Sequence, residues 1–149
     1  VAWKMLNITQ DNGYQALFVL EGGSIHTDSK GTLYTTEECL LHPSQNPNLS
    51  KEQLEQYLID YLGIEKVIWL TRDLYNDETN GHADNFMHVV KPGEVTLTWC
   101  EDPNDPQYQI SREAINILCS QCDAKGRSIK VHKLPMPGSL FISSRYKSK

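Results

Sequence analysis

The sequence predicts a mixed α/β fold in which one ββαβ unit is used twice, and three observations predict it. A strand, turn, strand, helix, strand order runs from about Phe18 to Leu70 and returns from about Gly81 to Leu134. Each run opens on residues fit for proton chemistry: Glu21-Gly22-Gly23 in the first and, sixty-one residues later, His82-Ala83-Asp84 in the second. Hydrophobic residues make up 39% of the 149, enough for a packed core. A repeated scaffold with acidic and imidazole groups at the same point of each copy places a site between the copies. Residues 1–149 are read as a single partial domain, with modules at about 18–70 and 81–134.

In the first module the apolar run Phe18-Val19-Leu20 ends at Glu21, and Gly22-Gly23 free the backbone. Ser24 to His26 is expected as a strand. Ser29-Lys30-Gly31 is a turn, with Gly31 taking the awkward φ. Thr32 to Thr36 is β-branched and aromatic, hence a strand. Asn46-Pro47-Asn48 breaks the chain, and Ser50 with Gln53 reads as a capping box. Leu54, Tyr57, Leu58, Tyr61 and Leu62 recur at helical spacing until Gly63 stops the helix. Lys66 to Leu70 is a short buried strand. In the second module, Asn85 to Val90 and Val95 to Trp99 are strands joined by the turn Lys91-Pro92-Gly93-Glu94. Asp105-Pro106 reads as N-cap and first residue of a helix with the apolar stripe Ile110, Ala114, Ile117, Leu118. Gly126 follows its end. Ile129 to Leu134 closes the unit, and Pro135 and Pro137 end it.

Charge and composition exclude some functions. A net charge of -5 and a pI near 5.5 argue against nucleic acid as the main partner. No apolar run approaches the ~18 residues of a membrane span. Val1-Ala2-Trp3-Lys4-Met5 shows no signal peptide and reads as the inside of a helix, so a piece of a longer protein is expected. Four scattered cysteines do not make a disulfide framework, and a reducing, cytoplasmic setting is expected.

Each candidate residue has a plain reading beside the functional one. His82 and Asp84, two apart, leave one face if their segment is extended, and form an imidazole–carboxylate acid/base pair; plainly read, they are a solvated turn after Asn80-Gly81. Glu21 at the end of an apolar run is half-buried and needs a partner, with Gly22 and Gly23 letting a ligand approach; plainly read, it ends a strand. Asp77 and Glu78, with Glu21 and Asp84, make an anionic pocket suited to a guanidinium or ammonium group; plainly read, they are an exposed acidic loop. Cys119-Ser120-Gln121-Cys122 is a lone CxxC, better assigned to helix packing than to zinc or redox chemistry. Cys39 and Cys100 read as buried strand-end cysteines. Trp69 and Trp99 read as core residues in similar places of the two modules, and Arg145 to Lys149 as a solvated basic end.

Four segments together resemble the agmatine deiminases: Leu20-Glu21-Gly22-Gly23-Ser24-Ile25-His26, Thr35-Thr36-Glu37-Glu38-Cys39-Leu40-Leu41, Tyr75 to Asn85, and Lys133-Leu134-Pro135-Met136-Pro137. That family lies in the guanidino-group-modifying superfamily with the arginine and peptidyl-arginine deiminases. The resemblance covers about Phe18 to Gly138. It implies a pentein-like α/β propeller, a ring of five ββαβ modules with the site on its axis. It implies hydrolysis of agmatine to N-carbamoylputrescine and ammonia, a step toward putrescine and polyamines, with neither metal nor organic cofactor. A cysteine thiolate would attack the guanidinium carbon, and a histidine would protonate the leaving ammonia and then activate water. Matched to motif, the histidine is His82, its supporting glutamate Glu21, an orienting carboxylate Asp84, and a second clamp Asp77 or Glu78.

The departures are as informative. The family's nucleophile follows a Gly-rich segment ending in an Asn-x-His-Cys-like motif, which none of the four cysteines matches. Cys39 falls where the family commonly has a non-catalytic cysteine. The N-terminal module with another substrate-binding acid is not seen, and Ser139 to Lys149 does not look like the family. The expectation is therefore about two modules of five, a fragment or shortened relative that lacks turnover by itself. The alternatives are a non-catalytic module that binds polyamine or arginine-like cations, and a peptidyl-arginine deiminase relative. Unpaired strand edges and apolar faces favour self-association into a homo-oligomer.

Overall fold

The computed structural model describes residues 2–137, so the basic end Arg145 to Lys149 lies outside the described residues. Helix α1 (Ala2–Thr9) leads into two three-stranded sheets. The first holds β1 (Ile25–Thr27), β2 (Thr32–Thr36) and β3 (Lys66–Leu70), and the second β4 (Met87–Lys91), β5 (Glu94–Trp99) and β6 (Lys130–Pro135). In each, the first two strands are antiparallel and the third joins the middle strand in parallel. A parallel return requires a crossover. Helix α3 (Lys51–Leu62) supplies it in the first unit and α4 (Gln107–Ser120) in the second.

Local chemistry sets the ends of these helices. Ser50 and Gln53 form the reciprocal capping box, and Gly63 closes α3 in the left-handed region at φ 65°. At α4, Asp105 Oδ1 accepts from the Gln107 N–H at 2.8 Å, with Pro106 already at helical angles.

Strand alternation divides the core. Leu33, Val67 and Trp69 face Leu54 and Leu58 of α3, whereas Tyr34, Ile68 and Leu70 face the opposite way and join Phe86, Met87, Leu97, Trp99, Ile110 and Leu118 of the second unit. The first sheet is covered on both faces, which is why every residue of β2 is buried. The second sheet buries only one face: Val95, Leu97 and Trp99 alternate with half-buried Glu94, Thr96 and Thr98.

Four expectations need correction. Ser24 and Asn85 belong to 3-10 turns, Gly22–Ser24 and Ala83–Asn85, and the strands begin later, at Ile25 and Met87. Each turn is closed by a backbone bond over three residues, Ser24 N–H to Glu21 C=O at 3.1 Å and Asn85 N–H to His82 C=O at 3.3 Å. His82 and Asp84 are therefore not on one face of a strand. Trp69 and Trp99 are both buried, but Trp69 lies in the closing strand β3 and Trp99 in the middle strand β5. Cys119 is exposed because the buried face of α4 is Gln107, Ile110, Ser111, Ala114 and Leu118, and Cys122 lies beyond the helix, exposed, in a short bridge to Ser128.

Candidate functional site

The two 3-10 turns pack against each other where the units meet, and this contact builds the site. Glu21 Oε2 and His82 Nε2 lie 2.6 Å apart. Gln45 donates from Nε2 to the other Glu21 oxygen at 3.2 Å. The His82 contact first, and the Gln45 bond second, hold the Glu21 carboxyl below its ordinary pKa. Glu21 is exposed and His82 half-buried, so the pair has a wet side and a protein side.

Gly23 lets the turns approach this closely. A Cβ there would stand 2.5 Å from His82 Nδ1 and 2.9 and 3.0 Å from the two Asp84 oxygens. Asp84, half-buried, thus shares the floor of the site with His82 across the Gly23 backbone. Gly22 has open space where a Cβ would be.

The loop before His82 is held by its own side chains. Asp77 accepts from the Thr79 N–H at 2.7 Å, from the Thr79 hydroxyl, and from Asn85 Nδ2 at 3.1 Å. Burial pushes the Asp77 pKa up, but bonds from Thr79 and the Gly81 N–H, with His82 nearby, outweigh it and leave it lowered. Glu78 is exposed. Gly81 takes φ +100°, and its carbonyl accepts from the Thr36 hydroxyl at the end of β2. A Cβ at Gly81 would meet the Cys39 backbone nitrogen at 2.9 Å. Thr36 therefore joins the His82 loop to the short helix α2 (Glu37–Leu40), which it also caps by accepting from the Cys39 N–H at 3.1 Å.

Sequence alone places neither Cys39 nor Asp73 here, and Cys39, expected at a strand end, lies in helix α2. Cys39 is 1% exposed, and its sulfur lies with a Glu21 oxygen and a His82 nitrogen, all within 4.8 Å of one another. Burial, then the charges of Glu21, Asp73 and Glu38, push its thiol up to about 11. The signal for α2 was in Thr36-Glu37-Glu38-Cys39, a cap followed by acids in a first turn; nothing local marks its approach to Glu21. Asp73 is buried, with neither carboxylate oxygen well hydrogen-bonded. Nearby, His26 Nε2 and His88 Nδ1 lie 3.2 Å apart across β1 and β4. Burial, then the His88 charge, lowers the His26 pKa.

The sequence profile of the Porphyromonas-type peptidyl-arginine deiminases matches residues 1–148. This chain belongs to that family. The match takes in residues 139–148, which the sequence reading had set apart. The family chain is 53% identical over 144 residues to an agmatine deiminase of Pseudomonas fluorescens, covering 96% of the chain and 39% of that protein. It is 63% identical over 143 residues to a Photobacterium profundum protein assigned as an agmatine deiminase, covering 96% and 39%. Among solved structures, an agmatine deiminase of Enterococcus faecalis superposes with a TM-score of 0.88 at 45% identity, over 99% of this chain and 41% of that one. A substituted agmatine deiminase of C. jejuni with substrate bound superposes with a TM-score of 0.81 at 26% identity, covering 95% and 41%. The chain spans about 39% of the length of these curated relatives.

Proposed function

We propose that this chain carries the acid–base and guanidinium-holding part of an agmatine deiminase. The observation that carries the reading is the Glu21–His82 contact at 2.6 Å, made by residues sixty-one apart and floored by Asp84 across Gly23. Glu21 fixes the orientation of the imidazole, so that His82, when protonated, can give a proton to departing ammonia. Once neutral, the same imidazole can take a proton from water. Asp84 faces the same opening and offers a planar guanidinium a bidentate partner. Between the two acids left open by the sequence, Asp77 spends its oxygens on the loop, and exposed Glu78 is free to reach a substrate's cationic end.

The nucleophile is a thiolate from outside the present residues. Cys39 is close enough to invite the role, but a buried thiol at about 11 among carboxylates is a poor source of thiolate. The chain is therefore expected to bind agmatine without releasing ammonia. The five-module propeller, the place in putrescine formation and a cytoplasmic setting belong to this reading. Calorimetry with agmatine tests it. Binding by the parent chain, lost in Glu21→Ala and His82→Ala, supports an assembled half-site, whereas a folded parent that binds nothing refutes ligand capture by these residues.

A second reading, an interaction module, rests on Trp3, Met5 and Ile8 of α1 and on Val90 and Leu134 of the second sheet, all exposed. It predicts self-association, which light scattering at increasing concentration reads as a rising mass. A constant monomer mass removes it.

A further inference from the structure

We propose that Cys39, His82 and Glu21 together form a binding site for one thiophilic divalent cation, zinc being the natural type, and that this cation and a guanidinium exclude one another. The inference starts from the three donor atoms, which lie within 4.8 Å of one another. They come from three separately anchored segments. Cys39 sits in α2 behind the Thr36 cap, His82 ends a loop tied down by Asp77, and Glu21 precedes its 3-10 turn. The fold brings them together; no local motif does.

The donor set selects the metal. A thiolate, an imidazole and a carboxylate suit zinc or cobalt, whereas magnesium and calcium take oxygen ligands. On a tetrahedral zinc, such donors lie roughly 3.4–3.6 Å apart, from bond lengths of about 2.0–2.3 Å. Glu21 and His82, now at 2.6 Å, need to part by less than about 1 Å, and Glu21 is exposed enough to swing. Glu21 is exposed, so a fourth ligand would come from solvent.

Burial of the sulfur adds to this: Cys39 is 1% exposed, so a cation held there is shielded from bulk water on the sulfur side. Coordination forms sulfur–, nitrogen– and oxygen–metal bonds with no change of oxidation state. The thiol proton, and any proton held between Glu21 and His82, leave to solvent. The site needs only these three side chains and stands apart from the deiminase reading; the exclusion of guanidinium rests on that reading.

Cobalt(II) is the probe, titrated into the full chain under a phosphine reductant. The background is Cys119→Ser/Cys122→Ser, so that the exposed pair contributes no sulfur. The expected result is a thiolate-to-cobalt charge-transfer band that saturates at one equivalent. It should vanish in Cys39→Ser and need at least ten-fold more cobalt in His82→Ala, with circular dichroism unchanged. His82 is half-exposed, so its variant decides the matter should Cys39→Ser unfold. A band that persists in Cys39→Ser, a band in His82→Ala that saturates at the parent's cobalt concentration, or a folded parent with no band in excess cobalt overturns the site. Agmatine added to the cobalt-loaded chain is expected to reduce the band. Agmatine that binds by calorimetry while the band persists overturns the exclusion alone. Failure of agmatine to bind at all counts against the deiminase reading and leaves the cobalt result to stand.

Discussion

Gly23 is the position where one methyl group decides the site. Its backbone is not in the left-handed region, so alanine brings no φ strain; the conflict is with the His82 ring 2.5 Å away and with Asp84. In Gly23→Ala the ring or the turn has to move, and the Glu21–His82 contact with it. We expect agmatine affinity to fall at least ~10-fold, or ~1.4 kcal/mol, with the fold intact by circular dichroism. Unchanged affinity would show that the turns have slack. Asp73 offers a second prediction at this scale. Burial, then the charges of Asp77 and Glu38, push its pKa up to about 7, with the Asn85 amide and Leu74 N–H only weakly opposing. A carboxyl raised in the folded state prefers to stay protonated there. Its cost is absent below the ordinary carboxylate range, grows as pH climbs toward 7, and is complete above it. Asp73→Asn keeps the shape and removes the charge. Its melting temperature should match the parent near pH 4 and exceed it at pH 8, by an amount worth about 1–3 kcal/mol. A melting difference that is the same at both pH values would contradict the assigned ionisation.

At the scale of the element, legibility depended on how local the determinant was. The capping box of Ser50 and Gln53, the stop at Gly63 and the strands Thr32–Thr36 and Lys66–Leu70 were all readable, because each is decided by residues within one turn or one strand. Ser50→Ala should therefore cost about 1 kcal/mol by thermal or urea melting; a change near zero would mean that tertiary packing alone holds the first turn of α3. The starts of β1 and β4 were misread. Alternation suggests extended chain there, but the turns Gly22–Ser24 and Ala83–Asn85 exist because they pack on each other from opposite units. For the candidate site, the sequence singles out residues 21, 82 and 84, and the fold brings them near one another, while the approach of Cys39 and the burial of Asp73 depend on the contact between units and left no local trace. The pair Cys119 and Cys122 was misjudged because the last turn of α4 does not reveal which side faces solvent, and the helix stops at Ser120, before Cys122.

Across the whole molecule, the site exists only if the two units hold a fixed relation. Three links hold them so. Tyr34, Ile68 and Leu70 share one apolar cluster with the second sheet and α4, the Thr36 hydroxyl donates to the Gly81 carbonyl, and the Ala124 N–H donates to Thr36's strand-mate Thr32 at 3.0 Å. A shared core of this kind predicts one cooperative transition rather than two. Trp69 reports on the first sheet and Trp99 on the second, so with Trp3→Phe as background, single-tryptophan variants can follow each unit by fluorescence. The two melting curves should coincide. Leu70→Ala, which empties part of the shared cluster from the first sheet, should destabilise by about 2–5 kcal/mol and move both curves by the same amount. If the Trp99 curve stayed in place while the Trp69 curve shifted, the units would be folding separately. The Glu21–His82 contact would then be a docked arrangement rather than a consequence of the core, and ligand binding would be lost at denaturant concentrations that leave each sheet intact.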